Sequence, residues 1–123
     1  MWTNLPEGAK PAKILFVEDE ASLRIPLCEF LHELGLTVVE VANADDALVR
    51  IRLENHIELV FTDVRMPGSM NGLALAKQLK IEFPQVKIVI LPEIPVSTSY
   101  SRALFLFQSL TRSVTSWTSY FQH

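Results

Sequence analysis

Short apolar runs of strand length alternate with amphipathic stretches of helical length between residues 13 and 91. The strand-like runs are Lys13–Val17, Thr37–Ala42, Glu58–Asp63 and Val86–Leu91. Strict alternation with short connections predicts one parallel sheet, right-handed crossovers and helices on both faces of the sheet. The sequence therefore predicts an α/β fold with a doubly wound sheet.

Each stretch between two strand-like runs carries an apolar stripe at helical spacing. Gly35 is placed to end the first helix, Asn43 to cap the second, and Gly72 to open the third. The residues predicted to face inward are, in chain order, Leu23, Leu27, Phe30, Leu31, Leu34, Ala47, Leu48, Ile51, Leu73, Ala76 and Leu79.

Composition excludes several classes of function. A chain of 123 residues is expected to form one domain, and its net charge of −3 provides no basic surface for direct nucleic-acid binding. Cys28 is the only cysteine, which excludes an intrachain disulfide and a Cys-based zinc site, so a buried, inert thiol is predicted. No segment reaches the roughly 18 apolar residues of a membrane span, and we expect a cytoplasmic protein.

Two acidic segments follow predicted strands. The run Glu58–Asp63 ends in a carboxylate, and Glu18, Asp19 and Glu20 follow the first run. Ligands of open α/β sheets bind in the crevice at the carboxyl ends of the strands. If the first and third strands are neighbours, the side chains of Glu18, Asp19 and Asp63 converge there. Clustered carboxylates repel each other and require a counter-charge, for which Mg²⁺ is the natural candidate.

A metal-bound carboxylate beside a phosphoryl donor can act as a nucleophile and form an aspartyl phosphate. Two simpler interpretations stay open at this point. Asp63 could cap a turn, and the acidic residues could form a solvated rim that merely binds ions.

The acidic segments resemble a known family, the CheY-like receiver domains of two-component response regulators. The resemblance covers residues 13–91 and rests on Ile14–Glu20, on Asp63–Gly68, and on Asn71 and Gly72 opening the next helix. It implies a flavodoxin-like sheet of strand order 2-1-3-4-5.

The resemblance also implies roles for individual residues. Asp63 would be the phosphoacceptor, Asp19 a direct Mg²⁺ ligand, and Glu18 a ligand acting through water. The backbone carbonyl of Arg65 would complete the protein's share of the coordination. The implied partner is a histidine kinase or a histidine phosphotransfer protein. The chain would be a single-domain phosphoacceptor that assists its own phosphorylation and dephosphorylation at most, and not an enzyme.

The C-terminal third departs from the family. Receivers end strand four with Thr or Ser and bring a Lys on strand five, but this chain continues from Leu91 into Pro92 and Glu93 and has no Lys after Lys87. We therefore divide the chain into an N-terminal arm (1–12), a receiver core (13–91) and an atypical tail (92–123). The fourth helix and the fifth strand-helix unit are expected to be altered or missing, and switching is expected to be impaired.

Three explanations of the tail stay open. It could be the frameshifted C-terminus of a receiver. It could instead be a selected helix that covers the sheet or docks on a partner, or its apolar spacing could arise by chance. The apolar stripe of the proposed helix is Ala103, Phe107, Leu110, Val114, Trp117 and Phe121.

Two further functions compete with a phosphorylated receiver. One is a non-switching receiver-like interaction module. The other is a hydrolase that uses an aspartyl phosphate, although such enzymes carry Asp-x-Asp after the first strand and this chain has Glu18, Asp19 and Glu20. Loss of a fifth strand would also expose a sheet edge, which predicts a possible homodimer.

Overall fold

The computed structural model describes residues 13–54, 56–66, 68–91 and 104–112. The N-terminal arm, residues 92–103 and residues 113–123 lie outside the described residues, and so do the predictions made for Pro92, Ala103, Val114, Trp117 and Phe121. The elements in chain order are β1 (Lys13–Val17), α1 (Ala21–Glu33), β2 (Thr37–Val41), α2 (Ala44–Leu53), β3 (Ile57–Asp63), α3 (Gly72–Glu82) and β4 (Lys87–Leu91), followed by a helix over residues 104–112, here α4.

The sheet confirms the predicted architecture. Its four strands are parallel and lie in the order β2-β1-β3-β4. β1 and β3 are therefore neighbours, and Val17 near the end of β1 pairs with Thr62 of β3. In the next pair of strands, Asp63 lies opposite Leu91. Polar residues that follow β1 and end β3 are thus delivered to the same edge of the sheet.

Helices cover both faces of this sheet. Buried side chains of β1 and β3, such as Phe16 and Phe61, pack with α1 and α4 on one face. Leu15 and Val60 pack with α2 and α3 on the opposite face. This division follows from the alternation of side chains along each strand, and it makes the sheet a doubly wound layer.

Local signals define the helix ends as predicted. Gly35 follows α1 in a left-handed conformation with φ of 88°, which glycine adopts without a Cβ penalty. The Asn43 side chain accepts a hydrogen bond of 2.7 Å from the Asp46 amide and caps α2. The predicted inward residues of α2 are buried.

The predicted inward face of α3 was partly wrong. Leu73 is 48% exposed, whereas Leu75 is fully buried together with Leu79. Gly72, Leu75, Ala76 and Leu79 form the buried stripe, which has the i, i+3, i+4, i+7 spacing of a helix face. Gly72 lies directly against the strand β3 backbone, and that contact decides which face of α3 turns inward.

The helix α4 also differs from the predicted stripe. Leu110 is fully buried as predicted, but the second buried residue is Leu106, and Phe107 is 39% exposed. The Phe107 ring lies over Phe30 of α1, with ring centroids 4.4 Å apart. Four consecutive apolar residues at the start of α4, Leu104 to Phe107, give no unique face in the sequence, so the packing against α1 decides the orientation.

None of the helices in the described ranges has both the length and the apolar character of a membrane span.

Candidate functional site

Three carboxylates meet at the carboxyl edge of the sheet. Glu18 and Asp19 directly follow β1, and Asp63 is the last residue of β3. One oxygen from each lies within 4.8 Å of the others. Glu18 and Asp63 are buried, at 1% and 2% exposure, while Asp19 is exposed. The structure thus brings together the side chains that the sequence predicted to converge.

The acidic turn, residues 18–20, is tied to the end of β2. The Glu18 amide donates a hydrogen bond of 3.1 Å to the carbonyl of Val41. Arg24 of α1 donates from Nη1 to the Glu18 carbonyl at 2.8 Å, and from Nε to Oε1 of Glu40 at 3.1 Å. Sequence reasoning did not select Arg24. The only signal for it was a cation one helical turn after an acidic segment.

Backbone contacts hold the loop that follows Asp63. The Val64 amide donates to the Leu91 carbonyl at 3.3 Å, and the Gly72 amide donates to the Val64 carbonyl at 3.0 Å. The Arg65 amide donates to Oδ1 of Asp63 at 3.3 Å. These bonds position the Asp63 carboxylate between the end of the sheet and the start of α3.

The Asn71-Gly72 pair has a steric and a hydrogen-bonding role. The Asn71 side chain accepts from the Ala74 amide at 2.9 Å and caps α3. A Cβ on Gly72 would lie 1.9 Å from the Asp63 carbonyl oxygen, so the backbone of α3 approaches Asp63 this closely because residue 72 has no side chain. The motif thus fixes α3 against the residue predicted to be the phosphoacceptor.

The outer part of the same loop is attached to α2. The Ser69 hydroxyl lies 3.1 Å from each carboxylate oxygen of Asp45. Gly68, one residue earlier, has φ of 106°, a conformation that favours glycine. A second helix therefore restrains the loop.

A cavity of about 310 Å³ opens beside the acidic cluster, and its lining includes Asp19, Arg65, Met66 and Asn71. This cavity gives access to the exposed Asp19 and to the loop after Asp63. It is the place where a small anionic group could approach the carboxylates.

The donor set fits a hard divalent cation. The converging group consists of carboxylates alone, and Mg²⁺ binds carboxylate oxygens together with water and substrate phosphate. Zinc prefers His and Cys ligands. The role of the Arg65 backbone carbonyl as a metal ligand stays a prediction.

At the end of β4 the structure places an apolar residue. Leu91 lies opposite Asp63 in the strand register and is 2% exposed. The hydroxyl expected from the family is therefore not supplied at Leu91, and the following residue, Pro92, has no hydroxyl.

The model of the response regulator receiver domain family matches residues 14–103. This chain belongs to the response regulator receiver family. The match includes β1 to β4 and the acidic cluster, and it extends beyond Leu91, where the motif resemblance stopped.

Curated relatives of this receiver include a two-component response regulator and a phosphotransferase. It is 42% identical to the two-component response regulator PhoP of Pseudomonas aeruginosa over 79 residues, which are 64% of this chain and 34% of PhoP. It is 32% identical to the sporulation initiation phosphotransferase F of Bacillus subtilis over 79 residues, 64% of this chain and 62% of that protein. The chain thus spans about a third of PhoP and less than two thirds of phosphotransferase F.

Solved receiver structures share the fold. The response regulator TrrA from Thermotoga maritima, in complex with Mg²⁺-BeF, superposes with a TM-score of 0.71 and 30% identity, covering 85% of this chain and 97% of TrrA. The predicted CheY-like α/β fold is therefore confirmed. A fifth strand is not among the described residues of this chain.

Proposed function

We propose that this receiver accepts a phosphoryl group on Asp63 from a histidine kinase or a histidine phosphotransfer protein, in a Mg²⁺-dependent reaction. The observation that carries the proposal is the convergence of Glu18, Asp19 and Asp63 within 4.8 Å at the carboxyl edge of the sheet. Family membership supports it, since receiver domains are phosphoacceptors rather than enzymes. The proposed setting is the cytoplasm.

The metal would be held by Asp19 and Asp63 directly, by Glu18 through water, and by the Arg65 carbonyl. When bound, Mg²⁺ neutralises charge on the phosphoryl oxygens and on the carboxylates around them. Burial of Glu18 and Asp63 lowers the local dielectric and strengthens these charge interactions.

The chemical step would be a single displacement at phosphorus. A carboxylate oxygen of Asp63 forms the new P–O bond while the P–N bond to the donor histidine breaks, and the imidazole nitrogen retains the electron pair. The Arg65 amide, 3.3 Å from Oδ1, orients the carboxylate. Catalysis of phosphoryl transfer consists mainly of such positioning and charge neutralisation.

We further propose that phosphorylation changes the conformation of this receiver only weakly. Leu91 ends β4 beside Asp63, and the chain carries no Lys after Lys87. A bound phosphoryl group would therefore lack the hydroxyl that receivers provide at the end of strand four and the ammonium that they provide on strand five. Without these contacts, the phosphoryl group stabilises one conformation relative to another by less free energy. The equilibrium between the two conformations therefore shifts less on phosphorylation.

The same observation favours a second candidate, a non-switching module that binds a partner without using phosphate. The two candidates differ in the effect of Asp63→Asn. If Asp63→Asn binds a kinase partner as tightly as wild type does, and if the affinity of wild type is the same without Mg²⁺, the non-switching module is favoured.

Beryllofluoride, a phosphoryl analogue, tests the proposed acceptor site. We expect ¹⁹F NMR to detect a bound species that requires Mg²⁺, disappears with EDTA and is not formed by Asp63→Asn. Amide shifts on binding should be confined to the loops around Asp19 and Asp63. A bound species in Asp63→Asn would overturn the assignment of Asp63 as the acceptor. Amide shifts that extend along β4 would overturn the proposal that phosphorylation changes the conformation only weakly.

A homodimer through the outer edge of β4 is also proposed. β4 pairs with β3 on one side, and no other strand within the described ranges pairs with it. Unpaired edges promote strand addition. Light scattering coupled to size exclusion should show association that increases with concentration, and a monomer throughout the micromolar range would contradict the dimer.

A further inference from the structure

We propose that Arg24 is a positioning residue, which holds the acidic turn 18–20 in the geometry that binds a divalent cation. For the cation, this inference rests on the function proposed above. For the turn itself, it rests on the contacts of Arg24 alone.

Arg24 joins the acidic turn to β2 through two different nitrogens. Nη1 donates to the Glu18 carbonyl at 2.8 Å, and Nε donates to Glu40 at 3.1 Å. The Arg24 side chain is 17% exposed and that of Glu40 is 43% exposed, so water competes less for the bond to the Glu18 carbonyl than for the bond to Glu40. Because the guanidinium is planar, both contacts fix its orientation at once.

Both backbone polar atoms of Glu18 are therefore held. Its amide donates to Val41 at the end of β2, and its carbonyl accepts from Arg24. These contacts restrict the backbone dihedrals of Glu18 and the direction in which the chain leaves toward Asp19. Two of the three converging carboxylates thus depend on one restrained residue.

The charge of Arg24 acts in the opposite direction to its positioning effect. A guanidinium next to a cation site repels the cation. If charge alone mattered, removal of Arg24 would strengthen Mg²⁺ binding. If Arg24 acts by positioning, removal weakens Mg²⁺ binding although a positive charge is lost. The sign of the change therefore separates the two effects.

The first measurement is the Mg²⁺ affinity of Arg24→Met, by calorimetric titration with MgCl₂. Met keeps an apolar stem and removes the donors and the charge. We expect affinity about tenfold weaker than wild type, in the range found for groups that orient metal ligands. Arg50→Met is the matched control, because Arg50 borders the same surface cavity as Arg24 and forms its ion pair with Glu54, one helical turn along the chain. We expect the control to bind Mg²⁺ as tightly as wild type or slightly more tightly.

The second measurement uses metal-free protein and follows amide hydrogen exchange. In Arg24→Met the Glu18 amide should exchange about tenfold faster, because loss of the charged donor to the Glu18 carbonyl loosens the turn and lets the amide separate more often from the Val41 carbonyl. The Phe16 amide, in the middle of β1, should keep its wild-type rate, which excludes global destabilisation. Arg24→Lys retains one charge without the planar pair of donors, and we expect an intermediate exchange rate.

The outcomes separate this inference from the proposed function. Faster exchange at Glu18 with weaker Mg²⁺ binding supports positioning. Unchanged exchange, or tighter Mg²⁺ binding in Arg24→Met, overturns it. If wild type binds no Mg²⁺, the proposed function fails, and the positioning role toward a cation fails with it; the exchange rates then still show whether Arg24 holds the turn.

Discussion

At the scale of single residues, Gly72 sets how closely α3 approaches the end of β3. A Cβ at this position would lie 1.9 Å from the Asp63 carbonyl oxygen, much closer than two non-bonded atoms can approach. The obstacle is backbone rather than a flexible side chain, so relief requires movement of β3 or α3.

We expect Gly72→Ala to reduce both the stability of the fold and the affinity of the site for Mg²⁺. The control is Gly35→Ala, because Gly35 has a φ of 88° and nothing within 4 Å of an added Cβ. This control should lose roughly 1–2 kcal/mol of stability from the left-handed backbone and keep its Mg²⁺ affinity. Urea unfolding and calorimetric titration provide the two readouts. Wild-type Mg²⁺ affinity in Gly72→Ala would contradict the steric account.

Cys28 provides a test of burial on the α1 face of the sheet. Burial raises the pKa of the thiol from 9.0 to about 12, and the nearby Glu40 carboxylate adds to this effect. Since the folded state has the higher pKa, the contribution of the thiol to stability is complete below pH 9 and is lost as the pH rises toward 12.

We therefore expect native protein at pH 9 to resist alkylation of Cys28 by iodoacetamide, whereas urea-unfolded protein reacts readily. Intact mass measures the modification. Equal rates in the native and unfolded protein would show that the thiol is accessible and that the packing of α1 is wrong.

Some residues of the site could be identified from the sequence, and others could not. Glu18, Asp19 and Asp63 were predictable because they lie at or just after the ends of apolar runs, and the resemblance to receivers implied that the first and third strands are neighbours. Arg24 was not predictable, because its contacts join α1 to Glu40 on β2, and pairing between distant residues leaves no local pattern. The face of α3 was ambiguous, because Leu73 and Leu75 are both apolar.

At the scale of elements, α4 is the part of the tail that the structure describes. Leu106 and Leu110 pack into the cluster formed by α1 and one face of the sheet. A helix in this part of the tail therefore covers this face, which is one of the two roles that the selected-helix interpretation allowed. The frameshift interpretation stays a prediction, which in-frame copies of the same tail in close relatives would overturn.

We expect Leu110→Ala to lower the free energy of unfolding by about 2–5 kcal/mol, the usual range for a fully buried leucine. Leu104→Ala, on the same helix at a residue that is 47% exposed, should change it by about 0.5 kcal/mol or less. Urea denaturation measures both. Equal, small effects would show that α4 does not pack on the sheet in solution.

Strands were predicted more closely than the tail for a physical reason. Each strand of a covered parallel sheet is a short, continuous apolar run bounded by polar or turn residues, which is visible locally. The tail does not follow this rule, because its continuous apolar run Ala103 to Phe107 has the length of a strand, whereas residues 104–112 form a helix. The α4 face was consequently determined by α1 and the sheet.

At the scale of the whole molecule, the chain combines a complete acidic cluster with an altered C-terminal third. The sheet order and the convergence of Glu18, Asp19 and Asp63 are those of a receiver. In the sequence, Leu91 is followed by Pro92 rather than by Thr or Ser, and there is no Lys after Lys87. We propose that this protein accepts a phosphoryl group with only a weak conformational response to it.

The most direct test of this account is the intact mass of the purified protein before and after incubation with acetyl phosphate and Mg²⁺. We expect wild type to gain the mass of one phosphoryl group, and we expect no gain with EDTA or in Asp63→Asn. A folded wild-type protein that gains no mass, or an Asp63→Asn variant that gains it, would contradict the assignment of Asp63 as the phosphoacceptor.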